Sequence, residues 1–246
     1  MAVLYLSYNN PMQPEMMPIS SLIYQIRPGE DHGPRLMLLH GLGGDEHAMS
    51  LFTRSIPAAF TVISPRAPIA IEPGMFPGYT DRGYSWVRSA RSPDRVSFAP
   101  AIELLRGFIQ SFERAPVFLM GFSQGAALSY ALSLAAPDLI AGVIALAGFL
   151  PDEARPSTSP QHGFAQAVHP RHGYLIIHSL DDQIVPLHRA HQARDFLTAL
   201  GAPVEYHAYP GGHKIAAQGL KDITRWLTAA STSFPRALSG NPLDTR

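Results

Sequence analysis

Short runs of apolar residues, each bounded by Gly or Pro, recur along this chain at residues 21–26, 35–39, 61–64, 116–120, 142–146, 174–178 and 204–209. Runs of that length closed by turn formers predict β-strands. Between them lie longer segments in which apolar residues return every three or four positions. The clearest sets Ile102, Leu105, Ile109 and Phe112 on one face, and others follow Ser123 or cover residues 188–200 and 217–229. That spacing predicts helices with one buried face. Strands alternating with helices require parallel crossovers, so the predicted class is α/β: a mostly parallel twisted sheet with helices on both faces. The first two strands have no helix between them, which predicts an antiparallel start.

Two stretches break the pattern, residues 65–93 and 151–172. Irregular segments of that length inside a domain are usually functional or disordered. The first carries Met75, Phe76, Tyr79, Tyr84 and Trp86, too much apolar surface for a plain linker, and Met75, Phe76 and Trp86 are expected to wall a substrate pocket. The second is short and rich in proline, which argues against a separate lid domain and for an open cleft. The expected organisation is an N-terminal extension over 1–20, one domain over 21–230 and a flexible tail over 231–246. The first twenty residues lack the charged start and continuous apolar core of a secretory signal, so a cytoplasmic location is expected.

Composition narrows the function classes. Lys plus Arg and Asp plus Glu both number 19 among 246 residues, and no basic stripe with interleaved aromatics occurs, so no nucleic acid partner is expected. Neutral charge, with no apolar run near 18 residues, also predicts no stable membrane insertion. The chain has no cysteine, which removes disulfides, thiolate metal sites and a thiol nucleophile together. Its apolar surface leaves room for a homodimer.

The strongest local signal is Gly121-Phe122-Ser123-Gln124-Gly125, lying between a predicted strand and a predicted helix. This is the strand–turn–helix context of a nucleophile elbow, in which a tight turn projects the serine hydroxyl into the cleft. Glycines on either side allow helix and strand to approach closely. A serine hydroxyl needs a base, and His213 follows the glycines of Pro210-Gly211-Gly212 between the last strand and last helix. His40, His178 and His207 abut or lie within strands and read as structural. The imidazole needs a carboxylate to orient it, and both Asp181 and Asp182 follow the strand at 174–178; spacing alone does not choose between them. The order serine, aspartate, histidine is that of the α/β hydrolases. An acyl-transfer intermediate also needs two backbone N–H donors. Gln124, directly after the nucleophile, supplies one, and Leu42, in the glycine-rich turn His40-Gly41-Leu42-Gly43-Gly44, supplies the other.

With these blocks in hand, the chain resembles the acyl-protein thioesterase or phospholipase/carboxylesterase family of α/β hydrolases. The resemblance rests on residues 38–46 (LLHGLGGDE), 64–68 (SPRAP), 121–126 (GFSQGA), 182–186 (DQIVP) and 211–213 (GGH), in the family's order and spanning roughly residues 20 to 228. It implies Ser123 as nucleophile, and its His-Gly-x-x-Asp-x-x-Val-Pro pattern, aligned on His178 to Pro186, selects Asp182 over Asp181. Ser179 stands here where that pattern has glycine. Residues 72–76 look closer to bacterial carboxylesterases than to members acting on long acyl chains. The resemblance implies no cofactor, no metal, and a small-molecule acyl ester as substrate. The expected activity is hydrolysis of short- to medium-chain carboxylic esters, with thioesters or lysophospholipids as further substrates. The rivals are a peptidase or lactone hydrolase using the same triad and a non-catalytic binding protein of the same fold, whose signature would be a missing triad member.

Overall fold

The computed structural model describes residues 22–76, 82–88, 97–112, 117–154 and 173–233. Its strands are β1 (Tyr24–Arg27), β2 (Arg35–Leu39), β3 (Thr61–Pro65), β4 (Ile69–Ala70), β5 (Tyr84–Ser85), β6 (Val117–Phe122), β7 (Ile140–Leu146), β8 (Gly173–Ser179) and β9 (Val204–Tyr209). The helices are α1 (Ala99–Gln110), α2 (Gln124–Ala135), α3 (His188–Ala199) and α4 (Ala217–Ser233), with a 3₁₀ helix over Ser50–Ser55. All seven strands expected from the apolar runs form one sheet in the order β1-β3-β2-β6-β7-β8-β9. The small ladder of β4 and β5 lies outside it.

The central strands are apolar at almost every position because both faces of the sheet are covered. Side chains alternate between two cores. Met37, Leu39, Val117, Leu119, Val143, Ala145, Tyr174 and Ile176 pack with α1, α2 and α3. Their neighbours Leu36, Leu38, Phe118, Met120, Ile144, Leu146, Leu175 and Ile177 pack with α4 and the 3₁₀ helix. The α2 helix is buried on all sides, from Gln124 to Leu134, and therefore lacks an amphipathic stripe.

One expectation is corrected. The antiparallel pairing at the start joins β1 to β3, with Ile26 opposite Ile63, whereas β2 runs parallel to both β3 and β6. A parallel β2–β3 pair needs a crossover, which the 3₁₀ helix over Ser50–Ser55 helps to span; β3 then lies outside β2 and offers its free edge to β1. The irregular segment after residue 65 is also less irregular than its composition suggests. Its β4–β5 ladder is tied back to the turn after β2 by Gly43 N–H to Tyr84 O (2.9 Å) and Tyr84 N–H to Gly44 O (3.1 Å). At the C-terminus α4 continues to Ser233, past the expected start of the tail. The extension over 1–20, the rest of that tail, Tyr79 and most of the segment expected to lack a lid fall outside the described residues. No helix among the described residues is long and apolar enough to cross a membrane.

Candidate active site

The C-terminal ends of β2, β6, β8 and β9 lie at one edge of the parallel part of the sheet, and the candidate residues sit on the turns leaving them. Ser123 occupies the single-residue turn between β6 and α2 with φ 52° and ψ −113°, in a region that side chains other than glycine rarely adopt. Its backbone is pinned by Ser123 N–H to Leu146 O at 2.9 Å. The turn is possible because its neighbours have no Cβ. A Cβ on Gly125 would lie 2.0 Å from Leu39 O, and one on Gly121 would lie 2.2 Å from Gly125 O.

His213 leaves β9 on the loop before α4 and reaches Asp182 on the loop after β8. Its Nδ1 lies 2.8 Å from Asp182 Oδ2. The other carboxylate oxygen accepts the backbone N–H groups of Ile184 (2.8 Å) and Val185 (2.9 Å). Burial alone would raise the Asp182 pKa; the His213 hydrogen bond and the two N–H groups outweigh it and hold the group below its ordinary value. An ionised Asp182 places the imidazole proton on Nδ1 and leaves Nε2 as the basic nitrogen. The imidazole also packs against Phe122, the residue before Ser123, with ring centroids 5.0 Å apart.

His178 lies beneath the carboxylate, fully buried. It donates from Nε2 to Val185 O at 2.7 Å, and that nitrogen is 3.7 Å from Asp182 Oδ2. Burial pushes its pKa below the ordinary value, so it stays neutral and leaves the Asp182 charge to His213. This is the structural role expected for it.

The two expected oxyanion donors, Leu42 and Gln124, lie on turns that face each other across Ser123. Gln124 is the first residue of α2, so its N–H has no partner within the helix. In the facing turn Gly43 N–H is used by Tyr84 O and Gly44 N–H by Gly41 O, whereas Leu42 N–H makes no bond to another described residue. The turn lies against the nucleophile: a Cβ on Gly41 would be 3.4 Å from Ser123 Cβ.

A polar network missed at the level of sequence holds these turns together. His40 accepts Ala67 N–H on Nε2 (3.0 Å) and so carries its proton on Nδ1, which faces Gly41 O at 2.7 Å. The Trp86 indole donates to His40 O (2.9 Å). The Gln124 side chain accepts Trp86 N–H (2.9 Å) and donates to Ser85 Oγ (3.1 Å), joining the elbow to the β5 segment. Arg66 meets Glu46 through both Nε (2.5 Å) and Nη2 (2.6 Å), and its guanidinium lies 4.6 Å from the Tyr84 ring centre. Arg66 and Glu46 lie within the blocks that carry the family resemblance, but nothing in their spacing says that they pair. Of the expected pocket residues, Trp86 is 1% exposed and supports the turn after β2 through its bond to His40 O, Phe76 is buried, and Met75 is half-buried against the same core. Among the described residues no cluster of three His, Asp or Glu side chains is arranged to hold a metal ion.

A mostly parallel sheet flanked by helices, with a strained serine between strand and buried helix and a carboxylate–imidazole pair on later turns, defines an α/β hydrolase. Comparison with known proteins agrees and narrows it. Residues 24–231 match the phospholipase/carboxylesterase family, and the chain belongs to that family. A rice (Oryza sativa subsp. japonica) protein named "probable inactive carboxylesterase" is 28% identical over 82% of this chain and 88% of its own. Acyl-protein thioesterase 1 of Cryptococcus neoformans is 24% identical over 87% of this chain and 99% of its own. Among solved structures, a Bacillus cereus carboxylesterase shares the fold at a TM-score of 0.70 and 18% identity, covering 86% of this chain and 95% of that one.

Proposed function

We propose that the chain is a serine esterase that cleaves short- to medium-chain carboxylic esters through an acyl-enzyme on Ser123, with thioesters and lysophospholipids as further substrates. The observation that carries this reading is the strained Ser123 beside a His213 already polarised by the buried carboxylate of Asp182. His213 Nε2 removes the hydroxyl proton as Ser123 Oγ attacks the ester carbonyl. Leu42 and Gln124 N–H groups receive the oxyanion, and the imidazolium returns its proton to the departing alcohol or thiol. Water then attacks the acyl-enzyme by the same route and releases the acid. Met75 is assigned to the acyl side of the cleft; Phe76 and Trp86 are buried in the core against which it packs. No member of this set is missing, which favours catalysis over a binding role even with a relative named as inactive.

Hydrolysis of p-nitrophenyl esters from acetate to palmitate by wild type and Ser123→Ala tests the reading. The expected result is a preference for short chains that the alanine variant abolishes while its melting curve is unchanged. Full turnover in Ser123→Ala would overturn the nucleophile, a maximum at palmitate would overturn the chain length, and inactivity on every ester would leave the binding-protein reading.

A further inference from the structure

The two adjacent aspartates after β8 turn in different directions. Asp182 holds the His213 ring. Asp181 turns toward the backbone that carries that ring: its Oδ1 accepts Gly211 N–H at 2.8 Å and Gly212 N–H at 3.0 Å. The same oxygen accepts the Ser179 hydroxyl at 2.7 Å. Ser179 is the residue that departs from glycine in the family pattern, so the departure supplies a third donor to this carboxylate.

Little else is available to hold the His213 loop from its glycine side. A Cβ placed on Gly211 or Gly212 would meet nothing within 4 Å, and Gly212 sits at φ +67°. No packing on the Cβ side of these two residues restrains them. The carboxylate of Asp181 is held ionised, well below the usual carboxylate range, by the Gly212 and Gly211 N–H groups and then by Ser179. Charge-assisted bonds to backbone N–H are the stronger kind, and two from consecutive residues constrain the peptide between them.

We infer that Asp181, completed by Ser179, is a positioning residue: it fixes the backbone immediately before His213 so that the imidazole approaches Ser123 in register. Asp182 orients the ring and Asp181 places its stem. This rests on His213 being the general base, as proposed above. Misplacing a catalytic group by about 1 Å can cost ~10²-fold in rate. A loosened loop that still visits the right position should lose less, roughly tenfold.

The test compares Asp181→Ala with Asp181→Asn on the best p-nitrophenyl ester, with amide hydrogen exchange at Gly211 and Gly212 measured in parallel. The alanine variant should lose about tenfold in kcat with KM within about twofold, and its two glycine amides should exchange faster at an unchanged melting temperature. The asparagine variant keeps an acceptor oxygen and should recover most of both. Wild-type kcat and exchange in Asp181→Ala would overturn the inference. Equal losses in both variants would overturn it too, because they would show that charge matters and the hydrogen bonds do not. The exchange measurement separates this inference from the triad: fast exchange in Asp181→Ala sustains the brace even if Ser123→Ala were to retain turnover.

Discussion

Asp182 shows how much of a site's chemistry lies in one residue's surroundings. The carboxylate is 5% exposed, and both of its oxygens are occupied, by Ile184 and Val185 N–H on one side and His213 on the other. An Asp182→Asn substitution preserves the shape and an oxygen for the two backbone donors. Its amide group, however, would face His213 Nδ1 with a proton of its own and force the imidazole proton onto Nε2. With the base occupied, kcat should fall by about 10³–10⁴-fold at neutral pH, as wrong-tautomer substitutions do in other triads. Steady-state kinetics beside an unchanged thermal transition would check this. The residue sequence leaves Asp181 and Asp182 equivalent, and the resemblance selects one; the structure assigns each a separate partner.

The element that carries the candidate nucleophile is the β6–Ser123–α2 unit. A non-glycine residue at φ 52° costs on the order of 1–3 kcal/mol, and the fold must hold it there. It does so through Ser123 N–H to Leu146 O on β7 and through an α2 helix buried along its length. The close approach that allows the turn is intolerant of change. In Gly125→Ala the new methyl group would lie against the Leu39 carbonyl, a backbone atom of β2 that cannot move without disturbing the sheet centre. The variant should lose ~3 kcal/mol of stability, seen as a lower urea midpoint, and most of its activity. The Gly-x-Ser-x-Gly pattern made this element legible. The β4–β5 ladder was not, because two-residue strands carry no period, and its place is set by hydrogen bonds to the distant turn at Gly43 and Gly44.

For the whole molecule, the Glu46–Arg66 pair ties the turn after β2 to the end of β3 and, through Tyr84, to the β4–β5 ladder. The Arg66 hydrogen bonds hold the Glu46 pKa below its ordinary 4.5, with burial opposing. A carboxyl whose folded value lies below its unfolded value adds stability that is fully present above the unfolded value and lost as pH falls through the folded one. The protein should therefore lose thermal stability progressively as pH drops below about 4.5. Glu46→Gln should melt lower than wild type at pH 7 and show a shallower loss toward pH 3. Parallel melting curves for the two proteins across that range would count against the pair as a stabilising tie.

The sequence by itself determined the α/β class, the seven strands of the main sheet, the four α-helices, the strand–serine–helix turn and the candidate serine and histidine, while leaving Asp181 and Asp182 equivalent. These are properties of local pattern: apolar runs covered on both faces, three- and four-residue spacing, and glycines flanking a serine between strand and helix. Only the tertiary structure decided that β1 pairs with β3, that Trp86 supports a turn from inside the core, and that Asp181 bonds to glycines near residue 212. Each of these joins segments far apart in the chain. Their partners are chosen by crossover geometry and by the need of buried or constrained polar groups for a donor or acceptor, which no local spacing encodes.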